Sequence, residues 1–285
     1  MALELPSSLS PSKVSTFTDC ALSFRFSAID KIPQPPTVAT VKGTLVHSAL
    51  ERLLALDAPH RTVDAALDCL AEAATRLDAD PEWVQLALDD AERTTFLRDA
   101  DQLVRRYFEL EDPTGIDPIG LELQVEHQLP VPSGATVTLR GIIDRLERDT
   151  EGRMVVSDYK TGRAPAEGYQ HSRLTGVHIY AYLCEQIYGE RPAKVRLLYL
   201  GGSPTVVETA PTEQSTRQIE RKVTSIWSAI ETACERDDFR PKKSRLCSWC
   251  AYQQWCPAFG GDPDAARAAF HGTDRPGPSE HTERA

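Results

Sequence analysis

Two aspartates and a lysine stand at the ends of adjacent segments, where a folded sheet would bring them together. Asp144 closes one segment of alternating apolar residues, and Asp158 and Lys160 close the next. Because side chains alternate along a strand, Asp158 and Lys160 project from one face and Tyr159 from the other. Carboxylates hold hard cations, and a lysine can neutralise charge that develops on a phosphate. These residue types therefore suit metal-assisted hydrolysis of a phosphodiester.

A structural explanation of the same residues competes with this chemistry. Asp144 could form an ion pair with Arg140 or Arg145, and Lys160 could be a solvated strand end. An Asp-x-Lys tripeptide by itself is a weak signal, because so short a motif recurs by chance. The sequence around these residues therefore has to decide between the two explanations.

A second group of residues that could bind metal lies near the C-terminal end. Cys247, Cys250 and Cys256 fall within a span of ten residues, which lets a short loop wrap a metal centre. A fourth ligand is missing locally, and thiolates alone do not distinguish zinc from an iron-sulfur cluster. We expect the isolated cysteines in predicted helices to be buried as small apolar residues. These are Cys69, Cys184 and Cys234.

Helical periodicity predicts the elements that precede the aspartates. Apolar residues from Gly43 to Leu56 recur at helical spacing, and His47 and Glu51 share another face of that helix. Two further helices are predicted over Thr62 to Leu77 and Pro81 to Leu110. Their Ala-, Leu- and acid-rich composition is typical of a helical insertion.

Period-two alternation predicts strands after this insertion. They are predicted over Ile119 to Leu129, Thr136 to Leu146, Met154 to Lys160, Ala193 to Leu200 and Thr205 to Thr209. The first three form a meander. A helix from about Ser172 to Tyr188 is predicted between the third strand and the fourth.

The two ends of the chain carry weaker signals. Ser12 or Ser15 could cap a short helix that ends near Cys20. Pro211 to Arg236 is predicted to be a long amphipathic helix. Beyond Pro257 the Gly, Pro, Asp and Ser content indicates a flexible tail.

Composition and charge limit the class of protein. Of the 285 residues, 41% are hydrophobic and 26% are charged, which is ordinary for a globular enzyme. The chain lacks an apolar run of about 18 residues and an N-terminal signal, so we expect a cytoplasmic protein with no membrane contact. The net charge of −10 argues against a protein that binds nucleic acid by charge alone.

The charge is unevenly spread. Acidic residues crowd Asp57 to Asp112, whereas a basic run lies beside the last cysteines and comprises Arg240, Lys242, Lys243 and Arg245. The aromatic residues that interleave with these cysteines are Trp249, Tyr252 and Trp255. They could stack on bases or shield a metal centre from solvent. DNA therefore stays possible as a partner.

Three motifs in this order resemble those of the RecB-like PD-(D/E)XK nuclease family. Gly43 to His47 resembles the family's upstream histidine motif. Gly141 to Arg145 resembles its second motif, and Val155 to Gly162 resembles its third. The resemblance covers most of the chain, from Leu9 to about Pro257.

This resemblance implies a metal site. Asp144 and Asp158 would bind Mg²⁺ or Mn²⁺, with the Tyr159 carbonyl and the His47 imidazole completing the ligand set. Lys160 would position the attacking water and stabilise charge. A histidine ligand favours Mn²⁺, because imidazole prefers softer metals than Mg²⁺.

Two assignments within the resemblance stay open. Glu122 is expected at the acidic position that the family carries before its second motif, but Glu126 lies on the same face and competes. Many family members also carry a Gln, three residues and a Tyr on the helix after the third motif, and the Gln is absent here. One alignment places Tyr180 at the Tyr position and Gly176 at the Gln position. The other places Tyr182 at the Tyr position and His178 at the Gln position.

The cysteines extend the resemblance to iron-sulfur nucleases. The segment from Ser15 to Cys20 resembles the first cysteine motif of those members of the family. With the C-terminal triplet it resembles the CRISPR-associated RecB-like exonucleases and the nuclease domain of AddB, which hold a 4Fe-4S cluster. The resemblance implies that a 4Fe-4S cluster ties the N-terminal segment to the C-terminal end through Cys20, Cys247, Cys250 and Cys256.

We therefore expect an α/β fold of the PD-(D/E)XK, restriction-endonuclease-like type. It would have a central mixed sheet flanked by helices, a helical insertion at residues 57–112 and a C-terminal Cys-rich cluster region at residues 240–260. Residues 1–260 would form a single nuclease domain, followed by a flexible tail at residues 261–285. The expected function is a metal-dependent exonuclease on single-stranded DNA. The alternatives are a catalytically inactive DNA-binding module of the same fold and a zinc-stabilised RNA phosphodiesterase.

Overall fold

The computed structural model describes residues 3–271, except for the side chains of residues 167, 169–175 and 271. Contacts divide the chain into two units. The sheet unit comprises residues 7–15 and 35–231, and the cysteine unit comprises residues 1–6, 16–34 and 232–285. The single nuclease domain expected over residues 1–260 stays a prediction.

Several helices begin at a side chain that accepts a hydrogen bond from the first turn. The α-helices of the described residues are α1 (Pro11–Asp19), α2 (Ala21–Phe24), α3 (Val38–Ala55), α4 (Val63–Ala74), α5 (Pro81–Leu86), α6 (Asp90–Leu110), α7 (Glu167–Tyr188), α8 (Glu213–Arg236) and α9 (Pro263–His271). Thr37 caps α3 and Thr62 caps α4. Ser10 Oγ accepts from the N–H of Lys13 at 3.3 Å, so Ser10, not Ser12 or Ser15, starts α1. No helix in the described part of the chain is both long and apolar enough to cross a membrane.

The helix predicted from Pro81 to Leu110 is two helices, α5 and α6. The backbone of Ala87 is left-handed, with φ of 50°, and this conformation ends α5. Asp89 and Glu92 then form a capping box that starts α6. The Asp-x-x-Glu pattern was the sequence signal for this break, because it satisfies the N–H groups of a new helix.

Five strands form the sheet, in the order β1-β2-β3-β4-β5. They are β1 (Asp117–Pro130), β2 (Thr136–Arg148), β3 (Met154–Arg163), β4 (Lys194–Gly201) and β5 (Thr205–Thr209). The first three are an antiparallel meander, β4 is parallel to β3, and β5 is antiparallel to β4. The parallel pair needs a crossover connection, which α7 provides. The predicted meander and the mixed sheet flanked by helices are confirmed.

The core of the sheet unit lies between one face of the sheet and the helices α3 to α6. Tyr159, Leu198 and Leu200 of β3 and β4 pack into the same cluster as the apolar faces of those helices. Trp83 and Phe96 pack against each other within it as a tilted pair, with ring centroids 4.7 Å apart. Each fully buried large side chain stabilises the fold by about 1.5–3 kcal/mol. This packing fixes the position of α3 against the sheet.

Helix α7 covers the other face, where Asp158 and Leu197 project. Tyr180 of α7 contacts the backbone of β2 at Gly141, where an added Cβ would lie 2.6 Å from the Tyr180 ring. A side chain at that position would displace Tyr180. Glycine is therefore required for α7 to approach the strand that carries Asp144.

The cysteine unit has little regular structure around its sulfurs. Short 3-10 turns at Arg245–Trp249, Gln253–Trp255 and Pro257–Phe259 carry three of the cysteines or flank them. α9 follows, so residues 263–271 are helical, which the sequence did not predict. The flexible tail expected at residues 261–285 stays a prediction, and residues 272–285 lie outside the described part. The helix forms because its carboxylate and guanidinium side chains find buried partners.

Those partners form a charge network in the cysteine unit. Arg25 is 5% exposed and contacts Asp30 at 3.1 Å, Asp237 at 3.1 Å and Asp264 of α9 at 3.4 Å. Arg267 of α9 lies 3.6 Å from Asp30. A buried guanidinium is stable only when carboxylates surround it, and this arrangement fastens α9 to the unit.

Candidate metal centres

Three side chains from different elements converge beside β1 and β2. His47 of α3, Glu122 of β1 and Asp144 of β2 place their ligand atoms within 4.8 Å of one another. The Nδ1 atom of His47 lies 3.5 Å from Asp144 Oδ2 and 3.8 Å from Glu122 Oε1. The strand register brings the two acids together, because the residues flanking Glu122 pair with the residues flanking Asp144.

The backbone of Glu122 is strained. Its φ is 44°, in the left-handed region, although it lies inside β1. A non-glycine residue in that conformation costs on the order of 1 kcal/mol and persists only when its surroundings impose it. Strain at a carboxylate beside His47 and Asp144 is what a functional constraint would produce.

Hydrogen bonds orient the imidazole and Asp144. His47 Nε2 lies 3.1 Å from the carbonyl oxygen of Tyr159, which can only accept, so Nε2 carries the proton. Nδ1 faces the two carboxylates, so in the neutral form of the ring its lone pair can bind a cation that the carboxylates share. Asp144 Oδ2 accepts the Tyr159 N–H at 2.7 Å, which fixes that carboxylate to β3.

Crowded negative charge perturbs both groups. Burial, and then the charge of Asp158, raise the pKa of Asp144 to about 7. Burial lowers the pKa of His47, but Glu122, Asp144 and Asp158 together raise it above its ordinary value. The site therefore takes up positive charge, either as protons or as a cation. Its carboxylate oxygens and imidazole nitrogen fit Mg²⁺ or Mn²⁺.

Asp158 and Lys160 form an ion pair on the adjacent strand. Lys160 Nζ lies 2.5 Å from Asp158 Oδ2. The side chain of Asp158 is 9% exposed, whereas that of Lys160 is 45% exposed. Burial lowers the pKa of Lys160, but Asp158 and then Asp144 raise it above its ordinary value. Lys160 is therefore a cation at neutral pH and not a base.

A cleft of about 930 Å³ borders this ion pair. Asp158, Lys160 and Tyr180 line it, together with residues of α1 and of β1 and β2. Arg140 and Lys13 add cationic groups to its walls. A cleft with these charges beside carboxylates can admit a phosphate-bearing substrate.

The geometry separates the alternatives that the sequence left open. Glu122, not Glu126, joins His47 and Asp144, although Glu126 lines the cleft. Tyr180 lines the cleft with Gly176, whereas Tyr182 is 4% exposed and packs against His127. Glu51, which shares a helix face with His47 in sequence, is not part of the three-residue group.

Sequence reasoning missed a buried arginine on the opposite face of the sheet. Arg145 is fully buried and contacts both carboxylate oxygens of Glu111 and both of Glu147. It does not serve as the ion-pair partner of Asp144, so that structural explanation is wrong for Arg145. Strand alternation was the available signal, since adjacent residues point to opposite faces.

Arg145 supports β3 at the residue whose backbone meets Asp144 and His47. It donates to the Tyr159 hydroxyl at 2.8 Å and to Ser157 Oγ at 3.1 Å. Burial raises the pKa of Glu111, but hydrogen bonds and charge from Arg145, then the charge of Arg196, lower it below its ordinary value. Glu111 therefore stays ionised and holds the arginine in place.

The four cysteines predicted to act together line one cavity of about 280 Å³ in the cysteine unit: Cys20, Cys247, Cys250 and Cys256. Backbone N–H groups of Lys242 and Ser244 contact the sulfurs of Cys20 and Cys247 at 3.5 and 3.4 Å. Burial raises the pKa of the Cys250 thiol, and the other three cysteines raise it further. The donor set fits a thiolate-ligated metal centre. The three isolated cysteines are buried as predicted.

Comparison with known proteins connects these sites to a family. Residues 8–257 match the family model of the PD-(D/E)XK nuclease superfamily. The "Gene 69 protein" of Mycobacterium phage D29 is 23% identical over 273 residues, covering 88% of this chain and 96% of the phage protein. A solved structure from Eubacterium rectale, called a "putative exonuclease", is similar with a TM-score of 0.53. It is 12% identical, with 86% of this chain and 88% of that chain covered. The crystal structure of SSO0001 is similar at 13% identity, with 90% and 88% covered and a TM-score of 0.45.

Proposed function

The chain belongs to the PD-(D/E)XK nuclease superfamily, and we propose from that premise that it is an exonuclease that degrades single-stranded DNA. Membership makes it a metal-dependent nuclease, which hydrolyses phosphodiester bonds. The observation that carries the proposal is the convergence of His47, Glu122 and Asp144 beside the Asp158–Lys160 ion pair.

The proposed ligands of the divalent metal come from α3 and from three adjacent strands. They are His47, Glu122, Asp144, Asp158 and the carbonyl oxygen of Tyr159. When bound, the cation supplies positive charge that activates water and polarises the phosphate. The imidazole favours Mn²⁺ over Mg²⁺, although the carboxylates accept both.

Lys160 and Tyr180 are proposed to act on the phosphate. Lys160 is a cation, so it would orient the attacking water and neutralise charge that develops on the phosphate oxygens. Burial, and then the charges of Asp158 and Asp144, raise the pKa of Tyr180, which keeps its hydroxyl protonated and able to donate a hydrogen bond. Both side chains line the same cleft, which supports a shared role.

Exonuclease action and the preference for a single strand rest on similarity. The motifs resemble those of RecB-like exonucleases, and the Eubacterium rectale protein carries an exonuclease name. A flexible single strand can follow a cleft that a rigid duplex cannot enter. The polarity of degradation would be given by which labelled end of the strand is released first as short product.

An iron-sulfur cluster is proposed as a structural clasp in the cysteine unit. The four cysteines line one cavity, so their thiolates can share one metal centre. Thiolate ligation suits zinc and iron-sulfur clusters alike. The resemblance of the cysteine motifs to those of iron-sulfur nucleases supports the 4Fe-4S cluster.

The test compares anaerobically purified wild type with Lys160→Ala and Lys194→Ala. Lys194 is a matched control, because it is also a strand lysine in an ion pair and its side chain is 46% exposed. Single-stranded DNA labelled at either end is incubated with Mn²⁺, Mg²⁺ or EDTA. We expect Lys160→Ala to lower cleavage by about 100-fold or more, with Lys194→Ala unchanged and EDTA inhibitory.

Other outcomes would favour the alternatives. Binding without cleavage by wild type under every metal would support the inactive DNA-binding module, for which Gly176 at the family's Gln position is the motivating observation. Cleavage of RNA but not DNA, by a protein that contains zinc and lacks visible absorbance, would support the zinc-stabilised RNA phosphodiesterase.

A further inference from the structure

The surface of the cysteine unit carries an aromatic side chain that the proposed metal centre does not need. Trp249 is 82% exposed, whereas Trp83 and Trp227 are each 4% exposed. It ends the 3-10 turn Arg245–Trp249, in which residues three apart eclipse each other, so Leu246 shares its side. Leu246 is 51% exposed as well. Solvent exposure of this much apolar area favours a binding role.

The charge around Trp249 is positive. Residues 239–261 contain four Lys or Arg residues and no Asp or Glu, in a chain whose net charge is −10. Arg240 is paired with Asp238 at 2.9 Å, which leaves Lys242, Lys243 and Arg245 as the cations nearest to Trp249 in sequence. Trp249, Lys242, Lys243 and Phe259 line the rim of the same cavity as the four cysteines, and Lys243 Nζ lies 5.2 Å from the centre of the Phe259 ring. We call Lys242, Lys243, Arg245, Leu246, Trp249 and Phe259 the tryptophan patch.

These cations are not accounted for by the negative charge of the cysteine thiolates. The sulfurs of Cys20 and Cys247 accept hydrogen bonds from the backbone N–H groups of Lys242 and Ser244, not from their side chains. Lys242 Nζ instead donates to the carbonyl of Thr18 at 3.1 Å. Arg245 is exposed and forms no ion pair within the described residues. Its guanidinium is therefore available to an anion from solution.

We propose that the tryptophan patch is a second binding surface for the substrate, on which one base of a single nucleic-acid strand stacks against Trp249 while Arg245 and Lys243 contact flanking phosphates. Unpaired bases expose both ring faces to an aromatic side chain, whereas paired and stacked bases do not. Arginine and lysine neutralise phosphates without regard to sequence. The patch thus fits a single strand of any sequence.

This inference rests on the proposed function, because it assigns a further contact to the same substrate. The tryptophan patch shares no residue with the carboxylate site. If one strand engages both surfaces, its affinity rises through effective concentration, and this gain depends on the length of the strand. Substrate length therefore separates the patch from the cleavage site.

The first experiment measures binding of full-length holoprotein to a labelled oligothymidylate of about 30 nucleotides, by fluorescence anisotropy in EDTA across a KCl series. We expect Trp249→Ala to weaken binding by about tenfold or more, and Trp249→Phe to retain most of the affinity. Arg245→Gln should reduce the slope of log affinity against log salt by about 0.7. Binding to a blunt duplex of equal length should not change.

Matched variants control for structure. Trp255 is partly buried and packs against Phe270 at 5.5 Å, so Trp255→Phe tests a tryptophan outside the patch. Arg76→Gln removes an exposed arginine of the sheet unit. Neither should alter affinity. Metal content and visible absorbance are measured for every variant. If Trp249→Ala loses its metal, the binding data of Trp249→Phe and Arg245→Gln decide the question instead.

The second experiment measures cleavage of a strand of about 5 nucleotides and of the long strand in Mn²⁺. Trp249→Ala should slow cleavage of the long strand at low concentration and leave the short strand unaffected. Unchanged affinity for the long strand in a metal-replete variant overturns the proposal, as does equal weakening of duplex binding. If wild type cuts neither strand, the proposed function fails while the EDTA measurement still decides on the patch.

Discussion

The two candidate metal centres differ in what holds their ligands. His47, Glu122 and Asp144 come from a helix and two paired strands whose positions are set by the core and the register. The cysteines lie on or beside short turns and are only partly buried. The fold itself assembles the first site, even at the cost of strain in Glu122. We expect the second site to need a bound metal centre to organise the chain, because short turns contribute little packing energy.

The largest expected effect follows from removing a ligand that the fold already holds. Asp144→Asn retains an oxygen that can accept the Tyr159 N–H but loses the charge. We expect cleavage in Mn²⁺ to fall about a thousandfold or more, because the site loses a negative ligand of the cation. The midpoint of thermal unfolding in EDTA should rise, since burial and Asp158 destabilise the charged form. A large drop in that midpoint would show that Asp144 is structural and break the comparison.

The converse is expected at the cysteines. Cys250→Ser should lose the metal centre and lower the free energy of unfolding of the cysteine unit by several kcal/mol, on the order of a structural metal's contribution. Limited proteolysis within residues 16–34 and 232–271 reports this loss. Cys69→Ser is the control, since that thiol is buried in the sheet unit and is not one of the four cysteines that line the cavity. An intact proteolysis pattern in metal-free Cys250→Ser would mean that this unit, too, is organised by the fold alone.

The buried ion pair of Glu111 and Arg145 behind β3 should make the stability of the protein sensitive to acid. The pKa of Glu111 is lowered in the folded state, so its contribution to stability is present above its unfolded value and is lost as pH falls through the folded one. Glu111→Gln should destabilise the protein by about 1–3 kcal/mol at pH 7, less below pH 4.5. Urea unfolding of both proteins at pH 7 and at several pH values below 4.5 measures the difference. A difference independent of pH would exclude Glu111 as an ionised partner of Arg145.

The smallest effect isolates the strain at Glu122. Glu122→Gly and Glu122→Gln both remove the carboxylate, but only glycine adopts a φ of 44° without cost. We expect the glycine variant to be more stable than the glutamine variant by about 1 kcal/mol. Both should bind Mn²⁺ more weakly than wild type. Equal stability of the two variants would show that the backbone is not strained and would weaken the contrast between the two centres.

Local patterns in the sequence were enough for most elements and for most of the residues that the candidate site brings together. Alternation predicted that Asp158 and Lys160 share a face, and helical periodicity predicted the helix that presents His47. Both signals are local, because they depend on side-chain direction within one element. The helix break at Ala87 and the helix α9 were missed for different reasons. The first had a local signal in Asp89 and Glu92, whereas α9 depends on carboxylates and a guanidinium that are distant in sequence.

The sequence by itself determined the residue types, their faces and the order of the motifs, since these follow from the chain's own periodicity. Only the tertiary structure decided that Glu122 and not Glu126 meets His47, and that Tyr180 and not Tyr182 lines the cleft. Those choices depend on how far β1 is shifted against β2 and how α7 is rotated over the sheet. Register and rotation are set by packing between distant segments, which no single segment encodes.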